Sequence, residues 1–82
     1  MDITKGTIVK SVAGHDKGEF YCVAEYENSF ALLINGKTKR ISNPKRKSLK
    51  HFEVLECRVD ETELKSDKKI RRLLREIAEK SV

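Results

Sequence analysis

The 82-residue chain contains no tryptophan, and aromatic residues make up only 6% of it. A core must therefore be assembled from Ile, Val and Leu with three Phe. It will be thin, because a chain of this length buries only ~60–65% of its unfolded surface, and two domains are excluded on the same ground. Cysteine is scarce too. Cys22 and Cys57 stand far apart with no C-x-x-C spacing, which points to a reduced compartment. His15, Cys22, His51 and Cys57 lack the short paired spacing that lets neighbouring ligands share one ion, so no metal is expected. No apolar run approaches the ~18–20 residues that cross a bilayer, and no secretory leader is recognisable. The expectation is a soluble, cytoplasmic protein with no membrane partner. Catalytic motifs are missing as well: no glycine-rich phosphate loop opens a helix, no serine elbow is present, and the acidic residues lie in turns or on charged faces. Neither enzyme activity nor a cofactor is expected.

The most informative absence is local. From Lys37 to Lys50 there is no Asp or Glu, while Lys37, Lys39, Arg40, Lys45, Arg46, Lys47 and Lys50 supply seven positive charges. The net charge of +5 resides in this stretch, since the rest of the chain carries an acidic excess of two. Seven like charges repel one another, and a polyanion relieves that repulsion while releasing condensed counterions. A single-sign patch on an otherwise balanced surface is the footprint of such a partner. Asn43 and Ser42 add neutral donors suited to phosphate or 2′-hydroxyl contact, or serve as turn formers.

What is present reads as a series of short strands. Thr7 to Val12 and Phe20 to Ala24 are β-branched, half-apolar runs, and Ala13 to Gly18 joins them as a tight turn in which Gly14 and Gly18 accept positive φ and Asp16 bonds its local backbone. Tyr26 to Ser29 is a second turn, and Phe30 to Ile34 a short continuous apolar run favouring strand. Asn35-Gly36 then predicts a type I′ hairpin, with Lys37 to Ser42 as partner strand carrying at least one solvated, basic face. Asn43-Pro44 ends that strand, a Lys/Arg-rich loop follows, and His51 to Glu56 forms a fifth strand. Five short strands at this spacing suggest a small barrel, which also hides its edges. Beyond Asp60 the pattern becomes helical. Ser66 is a good N-cap, and Ile70, Leu73, Leu74, Ile77 and Ala78 form one apolar stripe that needs a partner, the nearest being the barrel. Lys68, Arg72, Arg75 and Glu79 fall on the opposite face, with Glu76 and Lys80 a favourable pair. Residues 1–58 are thus read as the barrel and 59–82 as linker and helix packed on it, one domain overall.

The string Gly6-x-Ile8-Val9-x-Ser11-Val12-x-Gly14-x-Asp16-x-Gly18 resembles the KOW motif, the strand-loop-strand unit of several ribosomal proteins and transcription elongation factors. The pattern V-x-S-x-A-G-x-D-x-G, followed by a basic segment and the Lys50-His51 pair, is most similar to single-KOW large-subunit ribosomal proteins of archaea and eukaryotes and their small bacterial relatives. The resemblance implies a mainly β, SH3-like barrel with a C-terminal amphipathic helix. It also implies binding to structured ribosomal RNA as a component or associated factor of the large subunit, with neighbouring ribosomal proteins as further partners. A monomer when free is expected from the residues, because no stretch offers a second large apolar face once the helix docks. Lys37, Lys39, Arg40, Asn43, Lys45, Arg46, Lys47, Lys50 and His51 are the expected RNA contacts. His51 fits a structural hydrogen bond equally well. Lys68, Arg72 and Arg75 on the helix come second. His15 and Lys17 at the hairpin tip come third, because Gly18 is followed by Glu19 and Phe20 where many KOW loops carry a second basic residue and glycine. The alternative is a protein-interaction adaptor using barrel and helix, as in elongation factors.

Overall fold

In the computed structural model, which describes residues 3–80, five strands form one antiparallel sheet. The strands are β1 (Thr7–Ser11), β2 (Phe20–Tyr26), β3 (Phe30–Ile34), β4 (Lys45–Ser48) and β5 (Phe52–Arg58), arranged in the order β4-β3-β2-β1-β5. A 3₁₀ turn (Leu49–His51) joins β4 to β5, and a second (Glu61–Lys65) leads into helix α1 (Asp67–Lys80).

Both faces of the sheet are buried, which explains why β1 to β3 read as nearly unbroken apolar runs. On one face Ile8, Cys22 and Ile34 stand in register across three adjacent strands. Ile70 and Leu74 of α1 close over them with Val59. The stripe expected to dock does so: Ile70 and Leu74 are buried, and Leu73 and Ile77 pack against the same cluster. Burying such aliphatic side chains contributes ~1.5–3 kcal/mol each, so the helix is an integral part of the fold. Its start follows the sequence, with Ser66 Oγ accepting from Lys69 N. On the other face Val9, Tyr21, Val23, Ala31, Leu33 and Phe52 form a second cluster. Register irregularities between Thr7 and Val9 and between Val23 and Glu25 bend the strands, as bulges do.

The first hairpin turns where expected, with positive φ at Gly14 and Gly18, but the Asp16 carboxylate bonds side chains instead of its local backbone. The Asn35-Gly36 hairpin does not form as expected, and the fourth strand moves. Lys37 to Ser42 is not a strand; the segment is a loop with one isolated bridge, Arg40 to Asn43. The strand is instead Lys45–Ser48, inside the stretch expected to be a basic loop, and it pairs with β3 from Leu33↔Lys45 to Phe30↔Ser48. The cause lies in Asn35. A type I′ turn needs positive φ at both central residues, and only Gly36 has it. The Asn35 side chain accepts instead from the backbone N–H groups of Lys37 and Lys39, both at 2.9 Å, and so organises a wider turn.

Candidate nucleic-acid interface

Asp16 is the organising residue of the hairpin tip, and its partners come from three strands. Its carboxylate accepts from Ser11 Oγ (2.8 Å), Tyr21 O–H (2.9 Å), Lys47 Nζ (2.9 Å) and Lys45 Nζ (3.0 Å). Burial alone would raise its pKa, but the hydrogen bonds from Lys47, Lys45, Ser11 and Tyr21 outweigh it and hold the carboxyl well below the usual carboxylate range. The Tyr21 phenol is pushed up, first by burial and then by Asp16 and Glu19. Lys47 also donates to the Ala13 carbonyl at 3.1 Å, tying β4 to the turn between β1 and β2.

This arrangement divides the basic segment. Lys45 and Lys47 alternate along β4, so both project to one side, where they share a single counter-charge. The Lys47 side chain is 9% exposed and that of Lys45 32%. Arg46 projects to the other side, its guanidinium carbon 3.8 Å from the centroid of the Phe30 ring. Lys50 and His51 are exposed on the 3₁₀ turn, with the His51 carbonyl accepting from Val12 N. His15 and Lys17 are exposed at the tip.

A second group of cations is gathered by the loop between β3 and β4. Asp67, in the first turn of α1, accepts from Ile41 N at 2.9 Å, and Arg71 donates to the Gly36 carbonyl at 3.2 Å. Gly36 makes this approach possible: at φ 72° it lies so close to the helix that a Cβ would run into the Asp67 carbonyl and the Arg71 N–H. The loop therefore rides on the helix. Lys37 and Arg40 are exposed there, with Arg40 Nε donating to the Lys37 carbonyl at 3.3 Å. Lys39 is half-buried, its carbonyl accepting from Asn35 and Gly36 N–H, and Asn43 is exposed, its N–H closing on the Arg40 carbonyl.

Lys68, Arg72 and Arg75 are exposed on α1, and Arg71 joins them. The four occupy i, i+3, i+4 and i+7, which is one face of a helix. Sequence reading passed over Arg71, although that spacing marks it. None of Lys37, Arg40, Lys68, Arg71, Arg72 and Arg75 is within ion-pair distance of a carboxylate among the described residues, whose ion pairs are Lys5 with Glu25 and Asp16 with Lys45 and Lys47. Between this loop, the start of β2 and α1 runs a groove of about 530 Å³. Phe20, Leu74 and Ala78 supply apolar surface to it, and Lys37, Arg71 and Arg75 supply charge.

Of the cysteines, Cys22 is buried beneath α1 and Cys57 is exposed. Among the described residues no helix is long and apolar enough to cross a membrane. Neither models of known protein families nor curated protein sequences match this chain.

Proposed function

We propose that this chain is an RNA-binding protein of the KOW type that binds structured ribosomal RNA as a component or associated factor of the large ribosomal subunit. The observation that carries the reading is the cationic surface made by α1 and the loop pinned to it: Lys37, Arg40, Lys68, Arg71, Arg72 and Arg75, with no carboxylate in ion-pair distance among the described residues. Like charges at i, i+4, such as Lys68 with Arg72 and Arg71 with Arg75, cost a helix ~0.2–0.5 kcal/mol per pair. A bound polyphosphate removes that cost and gains counterion release. Because Lys45 and Lys47 are held by Asp16, helix and loop rank ahead of the β4 lysines as contacts, with Arg46, Lys50 and His51 extending the footprint along the adjoining edge. Recognition is by shape and backbone, since few exposed aromatics are available for stacking successive bases.

The barrel belongs to the same reading. Three residues, Leu49–His51, carry the chain from one edge strand of the sheet to the other. Flat, a five-stranded sheet holds its edges ~19 Å apart, whereas the four Cα–Cα steps from Ser48 to Phe52 reach at most ~15 Å. This short connection and both bulges support a sheet that curls toward a barrel. The adaptor reading loses most of the helix stripe, because Ile70, Leu73, Leu74 and Ile77 pack against the chain's own sheet. The test is sedimentation of the tagged protein with ribosomal particles. Co-sedimentation in low salt that is lost in high salt supports phosphate binding. Absence from the particles in low salt refutes it.

A further inference from the structure

We propose that the groove between α1, the loop after β3 and the start of β2 receives a single unstacked nucleotide of the bound RNA, its base against the apolar floor and its phosphate on the cationic rim. The proposal rests on the RNA-binding reading and names what one part of that surface takes.

The groove has two chemical halves. Phe20, Leu74 and Ala78 form the floor; Phe20 is half-buried, and Lys10 Nζ stands over one face of its ring, 5.6 Å from the centroid. Lys37, Arg71 and Arg75 form the rim, three cations without an ion-pair partner among the described residues. The lining also holds one acid, the exposed Glu19, whose Oε2 lies 3.2 Å from the Tyr21 hydroxyl that donates to Asp16, so the rim carries three positive charges against one negative. A volume of about 530 Å³ is in the range of small-ligand sites and well short of a duplex.

The Asn35 side chain of the groove is internally matched. The Asn35 amide donates to Thr38 Oγ1 at 3.1 Å, and its oxygen accepts two backbone N–H groups. Little of it remains to read a base edge or a peptide backbone. What the groove offers is apolar surface beside three cations, which matches a nucleotide of any base. An acidic peptide would satisfy the rim but would leave its own amides without partners over the floor. The loop is fixed on the helix by Ile41 N to Asp67 and Arg71 to the Gly36 carbonyl, so the groove is present before ligand arrives.

The experiment uses the full chain and two RNA hairpins of identical stem, one fully paired and one with a single bulged 2-aminopurine, with a poly-glutamate decapeptide as the competing probe. The bulged hairpin is expected to bind about five- to tenfold more tightly, with a change in 2-aminopurine fluorescence. That preference should vanish in Lys37→Gln/Arg75→Gln and fall in Phe20→Leu, which keeps the floor apolar but removes the ring, with melting profiles confirming that both variants fold. Equal affinity for the two hairpins overturns the nucleotide site and leaves RNA binding standing. Binding of the decapeptide with neither hairpin bound overturns both readings.

Discussion

Lys47 Nζ lies 2.9 Å from Asp16 Oδ1 although the residues are 31 positions apart, and the lysine side chain is 9% exposed. A cation enclosed to that degree depends on its counter-charge. Asp16→Asn keeps the shape but leaves Lys47 and Lys45 facing each other without it, and should destabilise the fold by ~3–5 kcal/mol. The check is denaturant unfolding. Adding Lys47→Met to Asp16→Asn should recover part of the loss, and a cost below ~1 kcal/mol for Asp16→Asn would mean the network contributes little.

The same carboxylate sets an acid limit. Its pKa is lower in the folded chain than the ordinary ~3.9, so the unfolded state binds more protons in that window and stability falls with pH. The contribution of Asp16 is fully present above about pH 4 and is lost progressively below it. Urea midpoints measured from pH 5 to pH 2 should drop for the natural chain and more shallowly for Asp16→Asn.

Gly36 couples loop to helix. Gly36→Val would place a branched side chain at φ 72° and against the Asp67 carbonyl, costing at least ~2 kcal/mol between strain and overpacking. Backbone chemical shifts should change both from Lys37 to Asn43 and through the first turn of α1. Changes confined to the loop would show that the two are not coupled.

Burial beneath α1 pushes the Cys22 thiol up to about 12, while Cys57 is exposed. A thiolate reagent at pH 8 should therefore label one cysteine promptly and the other only on unfolding. Deleting residues 67–82 should expose Ile8, Cys22 and Ile34, bind a hydrophobic dye and make the second thiol reactive. Unchanged melting and labelling in the truncated chain would contradict helix docking.

Much of this architecture is legible in the residues because local pattern and tertiary environment agree. The runs at Thr7–Ser11, Phe20–Tyr26 and Phe30–Ile34, the glycine-flanked turn and the Ile70 to Ala78 stripe all carry their period in the sequence. The fourth strand is not legible, because Lys45-Arg46-Lys47 has the composition of a solvated loop. It becomes a strand through a carboxylate about thirty residues away, a long-range contact that no local propensity reports. Asn35-Gly36 misleads for a related reason: its side chain caps a wider turn, and Gly36 serves the approach of a helix that follows much later in the chain. Asp16 was visible as a turn former but not as a hub, since Ser11, Tyr21, Lys45 and Lys47 share no spacing that marks them. Once β4 is placed, the alternation of Lys45 and Lys47 shows that both point to one side, where Asp16 pairs with them.

The most direct measurement is the salt dependence of affinity for a structured ribosomal RNA fragment. Five engaged cations should give a slope of log affinity against log salt near −4.5, at about −0.9 per neutralised phosphate on a duplex. Replacing Lys68, Arg72 and Arg75 together with Gln removes three exposed charges and no packing, and should flatten that slope by roughly two to three units. The same exchange at Lys45 and Lys47 should chiefly lower stability. Unaltered affinity and slope in the helix variant would contradict the account.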